Sequence, residues 1–215
     1  MKNRPFSKGT PFGISGGKIM IGNKRILFCN IGYLEHYDST MDTKPIENGG
    51  AYTKKHKTGG EINNFHKYED GKYYGFVEPG FKNSKQNMLH IEKIDGDYKH
   101  KDEISDVTVV FCARSTINQK TVIVGWYKNA TVFRRVKEHN GVKYNITTNS
   151  SNAVRIPEDE RTMKIPRANS GKFGFGESNL WYAKADDEKT KNFVNTVCNY
   201  IENWCEKIKK EPSYK

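Results

Sequence analysis

From Asp106 to Thr148 the chain passes through four short stretches dominated by β-branched and aromatic residues: DVTVVFCA (Asp106 to Ala113), TVIVGWY (Thr121 to Tyr127), TVFRRV (Thr131 to Val136) and VKYNITT (Val142 to Thr148). Such side chains suit a pleated, half-buried surface. Parallel strands joined through a helix need a crossover of a dozen or more residues, and no connection inside this block is that long. A doubly wound fold is therefore excluded. Neighbouring stretches must pair largely as hairpins, and the Asn140-Gly141 pair, suited to positive φ at both turn positions, marks one of them. The expected class is α+β, a curved mixed or antiparallel sheet.

The flanks complete the outline. Residues 1 to 22 are rich in Gly, Pro, Lys and Ser and read as a flexible arm. Arg25 to Ile31 is apolar enough for a buried strand, and 38 to 60 reads as a long exposed loop with two glycine pairs. Glu69-Asp70-Gly71 is a tight turn into a strand from Lys72 to Glu78, and Asn87 to Ile94 alternates like a strand. A turn at Lys128-Asn129 separates the second and third core stretches. After an irregular segment from 149 to 179, Phe193, Val194, Val197, Tyr200, Ile201, Trp204 and Ile208 recur at helical spacing. This amphipathic helix needs a surface to cover, and the sheet provides one. The division is an arm (1–22), one α+β domain (23–210) and a tail (211–215).

A chain of 215 residues can bury roughly 70% of its extended surface, so a core without disulfides is expected. Mean hydropathy is low at −0.84, but 11 Phe, 12 Tyr and 3 Trp compensate with large apolar area. Cys29, Cys112, Cys198 and Cys205 are too scattered for a disulfide framework and lack zinc-site spacing, so they read as small buried hydrophobes in a reducing compartment. No apolar run approaches the roughly 20 residues of a membrane span, and Lys2 and Arg4 are not followed by a signal-peptide core. A cytoplasmic location without membrane contact is expected. The formal net charge of +11 favours a polyanionic partner, DNA or RNA, with DNA favoured.

Three segments carry chemistry. In GWYKNATVFRR, Gly125 permits close backbone approach, and alternation sends Trp126 and Tyr127 to opposite faces, one into the core and one toward a cavity. Arg134 and Arg135 follow on the paired strand, where guanidinium groups could hold phosphate beside a stacking aromatic. In GGAYTKKHKTGGEINNFHKY, Tyr52 and Phe65 bracket Lys54, Lys55, His56, Lys57, His66 and Lys67, a basic loop able to follow a phosphate backbone. Glu61, Asn63 and Asn64 add groups able to read a base edge. SGKFGFGESNLWYA lacks the spacing of a P-loop; Ser178, Asn179, Trp181 and Tyr182 instead form a pocket rim or dock the final helix.

The segment VIVGWYKNATVFRR resembles the central hairpin of the PUA-like superfamily, in particular its EVE and YTH-like branch, and FCNIGYLEHY and YYGFVEP are compatible with that arrangement. The resemblance covers roughly residues 24 to 182. It implies a curved, partly closed barrel and recognition of a modified base in an aromatic cage. It makes Trp126 the first cage residue, with Tyr33 or Trp181 as the opposite wall; the basic segments described above supply Lys54, Lys55, Lys57, Arg134 and Arg135 to hold phosphates. The long loop at 38 to 60 departs from the compact family pattern. In bacteria such domains are often joined to restriction nucleases, which implies a defence setting and a nuclease partner.

Two rival functions fit the same composition. A magnesium-dependent nuclease would use Glu61 and Asp70 to hold the cation and Lys72 beside the scissile phosphate. A protein-interaction module would use none of these groups. Apart from that magnesium ion, no cofactor is expected. The six histidines show no metal-binding spacing, and Ser178 has no nucleophile elbow around it.

Overall fold

The computed structural model describes residues 25–48, 59–82, 85–86, 88–168, 173–184 and 187–210. The arm and the tail lie outside these residues. Strands β5 (Glu103–Arg114) and β6 (Thr121–His139) make the central hairpin, with Val110 opposite Trp126 and Val109 opposite Tyr127. The expected turn at Lys128-Asn129 is instead a bulge inside β6. Asn129 takes a φ of 49°, and the register with β5 shifts between Val107 and Val109, so the extra residue is absorbed and pairing continues. Asparagine tolerates the left-handed conformation that this requires. The stretches Thr121 to Tyr127 and Thr131 to Val136 are one strand for that reason.

At Asn140-Gly141, φ values of 49° and 78° turn β6 into β7 (Val142–Asn149), as the dipeptide predicts. β2 (Lys72–Gly75) pairs antiparallel with β7, and β8 (Ala153–Arg155) pairs with β6. β1 (Ile26–Ile31) runs parallel to β5, with β9 (Leu180–Trp181) antiparallel beside it. The seven-stranded sheet has the order β2-β7-β6-β5-β1-β9, with β8 off this path. It is mixed and open, because no pairing joins β9 back to β2; the expected partial closure does not occur. β3 (Phe81–Lys82) and β4 (Lys85–Gln86) form a separate ribbon.

Strand alternation divides the core into two layers. Leu27, Cys29 and Ile31 of β1 and Val109, Phe111 and Ala113 of β5 face Tyr33, Leu34, Tyr37, Phe65, Leu89 and Ile91 from the long connection between these strands. Phe28, Val110, Cys112, Ile123 and Trp126 face the other way, under helix α1 (Glu188–Lys210) and its Val194, Val197, Ile201 and Trp204. Asp187 caps α1, its carboxylate accepting from the Thr190 amide and hydroxyl at 2.8 Å each. Lys207, Lys209 and Lys210 lie in the last turn, where positive charge is favoured. No helix among the described residues is long and apolar enough to cross a membrane.

Two expected strands differ in extent. β2 ends at Gly75 because the next two residues are held by side chains: Asn64 accepts from the Phe76 amide and donates to its carbonyl, and Asn145 does the same for Val77. Buried amides that satisfy both backbone groups replace the ladder there. From 88 to 94 there is no strand; Ile91–Lys93 is a 3-10 turn, although Leu89 and Ile91 are fully buried. Apolar residues two apart anchor an irregular segment as well as they anchor a strand, so their alternation cannot separate the two. Cys29, Cys112 and Cys198 are buried and Cys205 is half-buried, all as free thiols.

Candidate nucleic-acid interface

The three expected stacking residues are core residues. Trp126 is 0% exposed and sits edge-on to Tyr200 and Trp204 of α1. Trp181 is 7% exposed and stacks on Phe28 in the same layer. Tyr33 is 4% exposed in the opposite layer, beneath the Arg161 guanidinium. With the sheet between Tyr33 and the two tryptophans, they do not form one cage. Tyr127 is also fully buried, its hydroxyl donating to the Asn64 carbonyl, so the Trp126-Tyr127 pair divides between two core layers and neither lines a cavity. Asn64, 0% exposed and committed to Phe76, has no group left to read a base, and Asn63 accepts from the Ser39 amide.

The two arginines part company. Arg134 pairs with Glu92 at 2.7 Å and donates to the carbonyls of Tyr98, Lys99 and Lys101, so its guanidinium fastens the 92–101 segment to the sheet. Although burial raises its pKa, hydrogen bonds led by that from Arg134 hold the Glu92 carboxyl down at about 2. Arg135, one residue on and on the other face, is exposed. Lys54, Lys55, His56 and Lys57 lie outside the described residues. Glu61 is buried, and burial pushes its carboxyl up to about 7, with Glu78 adding to the effect. Asp70 and Lys72 are exposed, and Asp70 accepts from the Tyr74 hydroxyl at 2.7 Å and the Lys72 amide at 3.1 Å. Among the described residues, no three His, Cys, Asp or Glu side chains gather to hold a metal.

What these residues do assemble is a different surface. Beyond the bulge, Ala130 and Val132 of β6 enter the first core layer, so Phe133 turns to the opposite face, the one on which Lys128 reaches Glu202 of α1. The β6–β7 register shifts again between Val132 and Lys137, and contacts bring the later residues to the same place, Lys137 over the Phe133 ring and His139 against Tyr74. Lys72 and Tyr74 of β2 lie opposite Tyr73, which packs on the first core layer, and Tyr144 of β7, paired with Lys137, joins them through its ring contacts with Tyr74 and Phe133. Phe133 and Tyr74 belong to neither core layer. They form an aromatic group of their own: Tyr74 stacks on His139 at 4.2 Å, and Tyr144 meets Tyr74 and Phe133 edge-on at 4.8 and 5.7 Å. Tyr68 extends it, edge-on to both Tyr74 and His139, and His66 adjoins Tyr68 at 4.7 Å.

Tyr68, His139 and Tyr144 are half-exposed over the more buried Tyr74 and Phe133, and Lys72, Arg135 and Lys137 are exposed around them. The Lys137 ammonium lies 3.9 Å from the Phe133 ring centroid and 3.8 Å from Glu103. Burial and the Asp70 carboxylate push the Tyr74 phenol up to about 12, so it remains a hydrogen-bond donor at neutral pH. At the border Asp38 accepts from Thr40 and faces the His66 Nδ1 at 3.0 Å. Those bonds hold Asp38 below the ordinary carboxylate range, against burial, which raises it. Among the residues missed from sequence, Tyr144 and His139 carried a usable signal: two apart from Val142 and Lys137 on a confirmed hairpin, they had to share a face with a basic neighbour.

Comparison with protein-family models, with curated proteins and with solved structures finds no match for this chain.

Proposed function

We propose that this chain binds single-stranded nucleic acid, stacking bases on the open end of its sheet. The observation that carries the reading is the group Tyr68, Tyr74, His139 and Tyr144, half-exposed at its outer members and bordered by Lys72, Arg135 and Lys137. Aromatic rings accept any base face, and adjacent cations follow the backbone, so such a surface binds strands with little sequence preference. The +11 net charge adds long-range attraction for a polyanion. Recognition of a modified base, as the PUA-like resemblance implies, would draw its walls from Tyr68, His139 and Tyr144, since Trp126 is sealed beneath α1.

The test is binding of labelled single-stranded DNA and RNA oligonucleotides, with matched modified and unmodified bases, at two salt concentrations and with magnesium present so that cleavage is scored in the same tubes. Salt-sensitive binding is expected. Tyr144→Ala should weaken it about tenfold, the loss of one stacked base at the low end of ~1–3 kcal/mol, while Tyr144→Phe binds as the parent does. Arg135→Ala should lower the salt slope by about 0.7. Unchanged binding in a folded Tyr144→Ala protein would remove the stacking face from the reading, and cleavage without stacking would move it to the nuclease.

A further inference from the structure

A second basic site lies at the other end of the central hairpin, where no aromatic group accompanies it. Arg114 ends β5, Thr121 begins β6, and the connecting loop is tied internally: the Ser115 amide donates to the Lys120 carbonyl, the Gln119 amide to the Ser115 carbonyl, and the Lys120 amide to the Asn118 side chain. A second segment runs beside this corner. Ile165 donates to the Thr121 carbonyl, Lys164 bridges to Val122, and Arg167 bridges to Phe175. Arg114, Lys120, Lys164 and Arg167, with Gln119, Thr121 and Ile165, thereby surround a pocket of about 350 Å³.

The charge around this pocket is of one sign. Among the described residues no Asp or Glu lines it, and no ion pair involves any of the four cations. Three other cations do have carboxylate partners, Lys128 in Glu202, Lys137 in Glu103 and Lys207 in Glu160. Among the described residues, the polar contact made by these four side chains is a long one, Arg167 to the Thr121 hydroxyl at 3.5 Å. Four like charges held by a backbone framework repel one another, and a multiply charged anion relieves that repulsion most. Arginine adds a planar fork suited to phosphate oxygens.

We infer that this corner is a binding site for a multiply charged phosphate group, either a free polyphosphate or the terminal phosphate of a nucleic-acid strand. An internal phosphodiester carries one charge and is met by cations spread along a track, whereas here four cations converge on one pocket. The site shares no residue with the stacking face, and its test does not depend on that face.

The experiment measures thermal stabilisation and calorimetric binding with inorganic pyrophosphate, against sodium sulfate at matched ionic strength, and then with a short oligonucleotide with and without a 5′-phosphate. Pyrophosphate is expected to raise Tm where sulfate does not. Lys164→Glu and the milder Arg167→Gln should each weaken pyrophosphate at least tenfold, while Lys209→Ala, exposed at the end of α1 and outside both sites, leaves it unchanged. Preference for the phosphorylated oligonucleotide, lost in Arg167→Gln, identifies a strand end; pyrophosphate binding without that preference identifies a free polyphosphate. Equal effects of pyrophosphate and sulfate, or pyrophosphate binding untouched in both folded variants, would overturn the site.

Discussion

Arg134 and Arg135 are chemically identical neighbours with opposite fates. Alternation sends one guanidinium inward to Glu92 and three carbonyls, and the other into solvent. Arg134→Met would strip Glu92 of its counter-charge and leave those carbonyls short of donors, at a cost of ~2–4 kcal/mol. Arg135→Ala should stay within ~0.5 kcal/mol of the parent, as exposed substitutions usually do. Urea unfolding of the two variants checks the contrast. The dipeptide made it certain that one arginine would face each way, but not which one would find a carboxylate. Glu92 is 42 residues away in sequence, and the segment bearing it is not the strand that its apolar spacing suggested.

At the scale of elements, β6 depends on its one glycine. A Cβ at Gly125 would lie 2.4 Å from the Phe65 ring and 2.5 Å from the Val154 carbonyl, so β8 and the Phe65 segment approach the sheet only because no side chain stands there. Sequence reading anticipated a close approach at Gly125; the fold supplies the approaching parts. Gly125→Ala must displace either an aromatic ring or a strand backbone and should cost at least ~1–3 kcal/mol, read as a lowered Tm. The hairpin at Asn140-Gly141 and helix α1 were equally legible, since turn dihedrals and helical periodicity are local properties. The length of β2 was not, because two asparagines from other elements end it.

At the scale of the molecule, the sheet holds a buried acid that links its stability to pH. Glu61 titrates near 7 in the fold and near 4.3 in an unfolded chain, so the folded state binds the extra proton between these values. Stability is therefore fully present below about pH 4 in this respect and falls as pH rises through about 7, by ~4 kcal/mol at most. Glu61→Gln keeps an acceptor but no titration. Its unfolding free energy should lose that downward slope and exceed the parent's above pH 7, as denaturant titrations across pH 4 to 8 would reveal; parallel curves would mean that Glu61 is ionised in the fold. The same burial explains why Glu61 is a poor partner for Asp70 and Lys72 in a metal site: it is buried while they are exposed.

The sequence by itself determined the α+β class, the Asn140-Gly141 hairpin, the opposite faces of neighbours such as Trp126 and Tyr127, and the amphipathic helix, because each follows from local pattern and turn chemistry. Only the tertiary structure decided which of those faces would be covered. Helix α1 begins at Glu188, well beyond the end of β7 at Asn149, and settles over Trp126, sealing the aromatic that looked most suited to a ligand. It leaves the far end of the same face to Tyr74, His139 and Tyr144. Burial is set by where non-local segments dock, and residues adjacent in sequence carry no record of what will pack over them.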